Sequence, residues 1–289
     1  MSTEVLIPRL TIVGVGLIGG SLALALKEAG AVGEVVGYGR GKPNLEKALQ
    51  LGIVDRYTRD PLEAVAGADL IFLATPVQAL EAVTRELLPG LKSGAILTDG
   101  GSVKGAVVEK IEPLLPEAIS FVPGHPIAGT ENSGAEAAFA GLYRGKRCIL
   151  TPTARTDTKA LELVERMWQR IGSEVVRMEL EKHDRILAAI SHLPHMVAYS
   201  LVNAVGSYDH YEENILEYSA GGFRDFTRIA SSDPTMWRDI AETNRVALLE
   251  MMEQFEHFFA ELKEDVAGGN GAQLFEFFQR SKQLRDAIL

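Results

Sequence analysis

Short apolar runs alternate with amphipathic stretches through the first 179 residues of the chain. The apolar runs predict strands at 10–14, 34–39, 69–74, 95–99, 120–123, 148–150 and 174–178. The amphipathic stretches predict helices at 17–29, 44–50, 77–88 and 158–171. Because the strands are apolar along their whole length, we expect helices to cover both faces of their sheet. The pattern therefore predicts an α/β domain built on a mostly parallel sheet.

A different spacing begins near residue 180. Apolar residues then recur every three or four positions, which is typical of helices. A long helix is expected to start at Asp233-Pro234 and to run through Leu262, and glycines at 268–271 separate it from a last helix over 274–288. Pro194 is expected to kink its helix, because proline removes a backbone hydrogen bond. We predict two domains, an α/β domain at 1–179 and an all-helical domain at 180–289.

Composition narrows the range of functions. The chain has 289 residues, 46% hydrophobic and 24% charged, which is the usual balance of a globular protein, and its formal net charge is −10. An acidic surface repels phosphate backbones, so nucleic-acid binding is disfavoured. The single cysteine, Cys148, excludes an intrachain disulfide framework and fits a reducing compartment. With no apolar leader segment and no apolar run of bilayer length, the sequence predicts a soluble cytoplasmic protein that does not bind membranes.

A glycine-rich motif follows the first predicted strand. Gly14, Gly16 and Gly19 fit G-x-G-x-x-G, with Leu17 and Ile18 opening the helix behind it. The first glycine permits a tight turn, the second lets a pyrophosphate approach the backbone, and the third lets helix and strand pack closely. The helix N-terminus offers N–H groups and a partial positive charge to the anion. This placement predicts a Rossmann-type dinucleotide site, and the alternative is a glycine turn with a packing role only.

The end of the second strand bears on which dinucleotide binds. In NAD sites an acid at this point normally hydrogen-bonds the adenosine ribose. Here the chain reads Tyr38-Gly39-Arg40-Gly41-Lys42, without an acid. Arg40 and Lys42 suit the 2′-phosphate of NADP, so the sequence favours NADP+ over NAD+. The alternative is that both are solvated loop residues and that NAD+ binds without the acid.

Two further segments follow predicted strand ends, where ligands of such sheets lie. One is 99–104, which contains Ser102, and the other is 124–131, which contains His125. His125 lies between Gly124 and Pro126 and is poorly placed for a core. An imidazole can accept a hydroxyl proton near neutral pH, so His125 is a candidate general base. A surface or core histidine is the alternative.

The order of these motifs resembles the prephenate/arogenate dehydrogenase family of tyrosine biosynthesis. The resemblance rests on the glycine loop, on Thr75-Pro76, and on the segments GSVK (101–104), GHPIAGTE (124–131), SHLPH (191–195) and GFRDFTRIA (222–230). It runs from about residue 10 to about residue 240. Gly39 departs from the pattern, since family members that use NAD usually have Asp there. This departure bears on the cofactor and not on the family.

The resemblance implies oxidative decarboxylation of prephenate or arogenate, with NAD(P)+ as the hydride acceptor. By the matching motifs, His125 would accept the proton of the ring 4-hydroxyl, and Ser102 would hydrogen-bond near that hydroxyl. Arg228 and Gly221 would bind the substrate, Arg228 through a carboxylate. Thr75-Pro76 would contact the cofactor. The family is typically dimeric, which implies a homodimer.

Side-chain chemistry adds further candidates for binding the substrate. Arg224 and Arg228 lie four apart, which places them on one face if the segment is helical. Guanidinium groups pair well with carboxylates, and surface ion pairs are the alternative. His195 is a candidate for contact with the substrate, more so than His192. A metal bound by these two histidines is disfavoured, because no third ligand follows at a recognised spacing, so we predict no metal site. Glu131 either holds Arg228 in place or is a solvated surface acid.

The predicted helical domain carries more apolar surface than a small domain needs. A homodimer would bury it, and a plain intramolecular core is the alternative. The apolar positions concerned are Met251, Met252, Phe255, Phe258, Phe259, Phe275, Phe277 and Phe278.

Two other functions stay open. β-Hydroxyacid-type dehydrogenases share this plan, but they use a catalytic lysine on the first helix of the second domain, followed by an asparagine. That helix here carries His192 and His195, and Lys182 lies at its very start, which disfavours this class. A non-catalytic NAD(P)-binding redox sensor would have no reason to assemble a base such as His125 beside substrate-binding groups. The sequence leaves the choice between prephenate and arogenate open.

Overall fold

The computed structural model describes residues 5–130, 132–208 and 215–288. The strands within these residues all lie in the first 177 positions. They are β1 (Ile7–Val13), β2 (Val32–Tyr38), β3 (Arg56–Thr58), β4 (Leu70–Leu73), β5 (Ile96–Asp99), β6 (Ser120–Val122), β7 (Gly124–Pro126), β8 (Arg147–Leu150) and β9 (Glu174–Arg177). The α-helices among them are α1 (Leu17–Glu28), α2 (Lys42–Gln50), α3 (Pro61–Val65), α4 (Leu80–Leu87), α5 (Gly105–Ile111) and α6 (Thr158–Arg170).

The first six strands form one parallel sheet in the order β3-β2-β1-β4-β5-β6. Strands are added outward on one side of β1 up to β3, and then on its other side from β4 onward, so the strand order switches between β1 and β4. The pairing register aligns the carboxyl ends of β1, β2, β4 and β5. Val13 lies opposite both Tyr38 and Leu73, and Leu73 lies opposite Asp99. The loops after β1, β2, β4 and β5 therefore leave the sheet at one edge, where open parallel sheets bind ligands. The predicted Rossmann-type, mostly parallel sheet is confirmed.

Helices cover both faces of this sheet. Successive residues of a strand point to opposite faces. Ile12 and Phe72 thus pack in a core with residues of α1 and α6, whereas Val13 and Leu73 pack in a second core with residues of α4 and α5. Two cores explain why these strands are apolar without alternation.

Strands β7, β8 and β9 form a separate sheet, in which β8 pairs antiparallel with β7 and parallel with β9. The strands predicted at 148–150 and 174–178 thus lie outside the main sheet, and β3 and β7 were not predicted. Three-residue strands show no measurable period, and tertiary contacts choose the pairing partner. As a result His125 lies within a strand, opposite Ile149, and its backbone is held by pairing.

Every regular element described after residue 179 is helical. The α-helices are α7 (Leu180–Leu187), α8 (Leu193–Tyr208), α9 (Gly221–Thr227), α10 (Pro234–Thr243), α11 (Arg245–Gly268) and α12 (Gly271–Asp286). Asp233 caps α10 as expected, accepting the N–H of Met236 at 2.9 Å. The single long helix expected through Leu262 is wrong, because the chain leaves helical geometry at Asn244. The Asn244 side chain turns inward there to bond the Asp184 carbonyl oxygen at 2.9 Å.

A π-helical turn, Ala188–His192, joins α7 to α8. The N–H of Leu193 donates to the carbonyl of Ala188, five residues back. The turn ends two residues before Pro194, which has no N–H to continue the α-helical ladder. The irregularity expected at Pro194 takes this form.

The helical run Leu180–Tyr208 reaches a mean hydropathy of 1.2 over 18 residues, and within the described chain it alone is long and apolar enough to cross a membrane by length and composition. We expected no apolar run of bilayer length, and by length and composition this expectation is wrong. Charged residues lie in the first turns of the run. His183 and Asp184 in those turns hydrogen-bond to the α/β domain. Such contacts are typical of a helix that packs within a folded protein.

Candidate active site

The glycine loop after β1 has the shape that its motif predicts. Gly14 has a φ of +94°, and a Cβ there would lie 2.6 Å from the carbonyl oxygen of Ala74. A Cβ on Gly19 would lie 2.4 Å from the carbonyl oxygen of Gly14, whereas a Cβ on Gly16 would meet nothing within 4 Å. The backbone is thus tightly packed at Gly14 and Gly19, and there is free space at Gly16, where a pyrophosphate would approach. It therefore fits a dinucleotide.

Side chains from distant parts of the chain hold this loop. Asn44 donates from Nδ2 to the carbonyl of Val15 at 2.7 Å, and the Tyr143 hydroxyl donates to the carbonyl of Ile18 at 2.6 Å. α1 begins between these contacts, at Leu17. These hydrogen bonds fix the loop to distant parts of the chain, as expected of a preorganised phosphate site.

Thr75 and Pro76 follow β4 at the same edge of the sheet. A Cβ on Gly14 would lie 3.2 Å from Cγ2 of Thr75, so the two loops touch. The hydroxyl oxygen of Thr75 is buried and has no hydrogen-bond partner within the described residues. A buried polar atom without a partner is costly, and a ligand at this edge would satisfy it.

The end of β2 lies beside the glycine loop, since the N–H of Gly14 donates to the carbonyl of Tyr38 at 2.9 Å. Arg40 is exposed just beyond Tyr38. The Lys42 ammonium lies 3.4 Å from the Glu46 carboxylate, one turn along α2. Of the two residues predicted to bind the 2′-phosphate, Lys42 therefore already pairs with an acid of its own helix.

An ion pair is completely buried at the end of β5. The ammonium of Lys104 contacts the carboxylate of Asp99 and donates to the carbonyl of Gly124 at 2.7 Å. Asp99 also accepts the N–H of Gly101 at 2.9 Å and that of Gly124 at 3.0 Å. The pair joins β5, the loop after it and β7, and so it fixes the strand that carries His125.

His125 begins a chain of three hydrogen-bonded side chains. Its Nδ1 lies 2.9 Å from Nε2 of His183, whose Nδ1 lies 2.7 Å from Oδ1 of Asp184. Asp184 also accepts the backbone N–H groups of Lys104 at 2.9 Å and of Gly105 at 2.8 Å. Nε2 of His125 forms no hydrogen bond to any described residue. The chain links α7 to the α/β domain and leaves that nitrogen available to a ligand.

Burial controls the protonation of these groups. It lowers the pKa of His125 well below 6.5, and His183, Lys104 and His192 nearby lower it further. Burial also lowers the pKa of His183, although Asp184 opposes this. Burial alone would raise the pKa of Asp184, but hydrogen bonds from His183 and from two backbone N–H groups lower it overall. At neutral pH His125 is therefore uncharged and able to accept a proton.

His192 lies in the π turn and is buried. Its Nδ1 accepts a hydrogen bond from Nδ2 of Asn244 at 3.0 Å, and burial lowers its pKa to about 4. Its ring meets that of Trp237 edge-on, with 6.1 Å between centroids. His192 is thus a neutral interior residue that contacts Asn244 and Trp237.

His195 stacks on Trp237, and its Nδ1 donates to the carbonyl of Ser191 at 2.9 Å. Burial lowers the pKa of His195, and nearby Arg228 lowers it further. Arg228 begins a 3₁₀ turn that packs against α8. Arg228 is thus close enough to His195 to act on its charge, and their shared role in substrate binding stays a prediction.

The other predicted residues differ in their placement. Ser102 is half-buried in the loop between β5 and Lys104. Gly221 is exposed at the start of α9, which packs on α8. Arg224 is exposed, and its Nε donates to the hydroxyl of Ser219 at 3.3 Å. Glu131 lies outside the described residues. In the described part of the chain, no cluster of three His, Cys, Asp or Glu side chains is arranged to hold a metal ion.

Sequence reasoning missed His183, Asp184, Asn244 and the role of Trp237. The adjacent His183 and Asp184 at the first helix after the last strand were a signal, since a buried helix seldom begins with such a pair unless both are bonded. Asn244 and Trp237 carried no signal beyond helical spacing, because their partners lie far away in the chain.

Two family models match the chain. That for the nucleotide-binding domain of prephenate dehydrogenase matches residues 22–177, and that for its dimerization domain matches residues 179–280. Among characterised relatives, the cyclohexadienyl dehydrogenase of Zymomonas mobilis is 40% identical over 97% of this chain and 96% of its own length. The prephenate dehydrogenase of Bacillus subtilis is 36% identical over 95% of this chain and 74% of its own length.

Solved structures agree. Prephenate dehydrogenase from A. aeolicus, in complex with hydroxyphenyl propionate and NAD+, has a TM-score of 0.91 and 40% identity, covering 98% of each chain. Synechocystis arogenate dehydrogenase has a TM-score of 0.80 and 30% identity, covering 97% of this chain and all of its own. The resemblance seen in the motifs is confirmed over the whole chain, which therefore belongs to the prephenate dehydrogenase family.

Proposed function

We propose that the chain is an NAD(P)-dependent dehydrogenase that converts prephenate to 4-hydroxyphenylpyruvate and carbon dioxide. The observation that carries this proposal is His125, which is buried, neutral and free at Nε2 beside the ligand-binding edge of the sheet. A dehydrogenase acting on a hydroxylated substrate needs a base at this place. The same chemistry on arogenate would give tyrosine.

In the proposed mechanism, Nε2 of His125 accepts the proton of the ring 4-hydroxyl. A bound NAD(P)+ would supply the acceptor for the hydride that leaves C4 of the ring. The bond to the ring carboxylate then breaks, and its electron pair completes the aromatic ring as carbon dioxide leaves. The resulting phenolate takes a proton back, so His125 returns to its neutral form. Ser102 would hold the hydroxyl close to His125. Because aromatisation drives the reaction, the chain has mainly to position groups and manage this proton.

For the cofactor, the glycine loop of Gly14, Gly16 and Gly19 would hold the pyrophosphate, with N–H groups at Leu17-Ile18. Thr75-Pro76 would contact the cofactor from β4. Arg40 is exposed and residues 38–42 contain no acid, which supports a preference for NADP+ over NAD+.

For the substrate, Arg228 would pair with a carboxylate, and His195 would contact the side chain of the substrate. Prephenate carries two carboxylates, and a chain with a net charge of −10 needs local cations to hold them. Gly221 would approach the substrate through its backbone. Glu131, which lies outside the described residues, stays a candidate partner of Arg228.

We propose a homodimer that forms through the helical domain at 180–289, with the α/β domain at 1–179 carrying the cofactor. The support is the set of large apolar side chains left exposed on α11 and α12, which are Val246, Leu249, Phe255, Phe258, Phe259, Val266, Phe275, Phe278 and Leu284. Light scattering of the purified protein would give twice the 31.4 kDa chain mass if this is right. A cytoplasmic location is also proposed, since buried, unpaired Cys148 fits a reducing compartment.

The decisive experiment follows formation of reduced nicotinamide in four mixtures, which combine prephenate or arogenate with NAD+ or NADP+. Turnover in any mixture supports the reaction, and the order of kcat/KM values ranks substrates and cofactors together. If no reduced nicotinamide forms in any of the four mixtures, although cofactor binding is shown separately, the proposal is refuted and a redox sensor is favoured.

A further inference from the structure

The side chains of His183 and Asp184 come from α7 of the helical domain, yet both serve the base on β7. We propose that His183 and Asp184 are positioning residues that hold His125 as the tautomer with its proton on Nδ1, which makes Nε2 the accepting nitrogen. The proposal rests on the proposed function only in naming the substrate hydroxyl as the proton donor.

The direction of each hydrogen bond follows from Asp184. An ionised carboxylate only accepts, so Nδ1 of His183, 2.7 Å away, must carry the proton. In neutral His183 the other nitrogen, Nε2, then has only a lone pair. The His125 Nδ1 that lies 2.9 Å from it must be the donor. The lone pair of His125 is therefore on Nε2.

The carboxylate that sets this direction is itself fixed. Its Oδ1 accepts the N–H of Lys104, and its Oδ2 accepts the N–H of Gly105, so both oxygens are used and cannot rotate freely. The carbonyl of Asp184 accepts from Asn244 at 2.9 Å. The position of the acid is thus determined by the backbone of the α/β domain on one side and by the helical domain on the other.

His125 is held from its own side as well. The carbonyl of the preceding residue, Gly124, accepts from the ammonium of Lys104, whose N–H holds Asp184. The titratable groups that shift the pKa of the imidazole are His183, Lys104 and His192, and no hydrogen bond to a described residue holds a proton on Nε2. Lys104 thus holds both ends of the hydrogen-bonded series from His125 to Asp184. Because His183 and Asp184 belong to the helical domain, that domain must be packed correctly for His125 to be oriented as a base.

The test combines nitrogen NMR with kinetics. Chemical shifts of ¹⁵N-histidine-labelled protein distinguish the two tautomers, and the His125 signals are identified by their loss in His125→Asn. We expect wild-type His125 to carry its proton on Nδ1 at pH 7.5. In Asp184→Asn the side-chain amide would place a donor against the donor N–H of Lys104 or Gly105. We therefore expect the proton on Nδ1 of His125 to be lost in this variant.

Kinetics of the same variant should show a fall in kcat of about 10- to 1,000-fold, within the range expected when a proton acceptor is misoriented. KM and the cofactor dissociation constant should change by less than about 3-fold, because neither ligand touches Asp184 in the proposed site. His183→Gln, which restores a carbonyl acceptor, should retain more activity than His183→Phe. The matched control is Glu181→Gln, an exposed acid on the same helix, and it should behave as wild type.

Two results would overturn the inference, namely a wild-type His125 protonated on Nε2, or an Asp184→Asn enzyme with wild-type kcat. The NMR result does not depend on turnover. If no substrate reacts but the Nδ1 proton is present in wild type and absent in Asp184→Asn, the positioning role stands and the proposed function fails.

Discussion

The rings of His195 and Trp237 stack with 3.7 Å between their centroids and 23° between their planes. His195 lies on α8 and Trp237 on α10, so this contact ties two helices of the helical domain together. Trp237 also packs with Val103, which directly precedes the buried Lys104. Trp237 thus packs against His195, the proposed substrate contact, and against the loop between β5 and Lys104.

Replacing Trp237 with Leu should weaken substrate binding. The loss of a stacked pair costs about 0.5–1.5 kcal/mol, so KM should rise by about 2- to 10-fold. The cofactor dissociation constant should stay the same, because the glycine loop lies on the other domain. Steady-state kinetics and a fluorescence titration measure the two quantities. Trp237→Phe, which keeps a ring for stacking, is the control, and an unchanged KM in Trp237→Leu would show that the stack does not orient His195 for binding.

Replacing His125 with Asn should lower kcat by about 100- to 10,000-fold, the usual contribution of a general base. Cofactor affinity should be nearly intact, since His125 lies outside the glycine loop. Rapid-mixing kinetics with saturating cofactor measure the effect, and turnover close to wild type would exclude His125 as the base.

Acid should destabilise the fold through its buried histidines. Burial lowers the pKa of His125, of His183 and of His192, the last to about 4. Below the ordinary value of 6.5 the unfolded chain binds protons on these rings, and the folded chain does not until the pH is lower. The free energy of unfolding should therefore change little between about pH 8 and pH 7 and fall as the pH drops from 6.5 towards 4.

Urea titrations at pH 8, 7, 6 and 5 measure this dependence. His192→Gln removes one of the titrating rings and should flatten the decline, although it also changes the bond to Asn244. A urea midpoint that increases between pH 7 and pH 5 would contradict the assignment of neutral, buried imidazoles.

Removing the buried ammonium should be costly. Lys104→Met leaves the Asp99 carboxylate buried without its cation, and breaking such a pair lowers the free energy of unfolding by about 3–5 kcal/mol. Adding Asp99→Asn should recover part of the loss. The exposed pair of Lys47 and Glu136 offers a control, since Lys47→Met should lower the free energy of unfolding far less than Lys104→Met does. Chemical denaturation measures all three variants, and equal effects for the two lysines would show that burial of the pair does not matter.

Gly39→Asp should shift the cofactor preference towards NAD+. A Cβ at Gly39 would contact only Leu45, at an ordinary distance of 3.7 Å, so the site has room for the side chain. The new carboxylate would accept from the adenosine ribose and repel a 2′-phosphate. The ratio of kcat/KM for NAD+ to that for NADP+ should rise by about 10-fold or more, which corresponds to about 1.4 kcal/mol. Arg40→Gln isolates the loss of the cation, and an unchanged ratio in both variants would place the ribose elsewhere.

Much of the fold was predictable, because its strongest signals are local. A strand, a glycine turn and a helix adjacent in sequence leave a period and a spacing that can be read directly, and the structure confirms them at Gly14, Gly16 and Gly19. The second sheet and the break at Asn244 were not predictable. Short strands and a single inward-turning amide leave no period, and their geometry depends on partners far along the chain.

The sequence by itself determined the cofactor-binding half of the protein, the change from strands to helices near residue 180 and the candidacy of His125. Only the tertiary structure decided what surrounds His125, because His183 is 58 residues away and Asp184 is 80 residues from the Lys104 N–H that fixes it. Hydrophobic periodicity reports which residues are buried. It does not report which buried polar groups meet, since that depends on how the two domains pack.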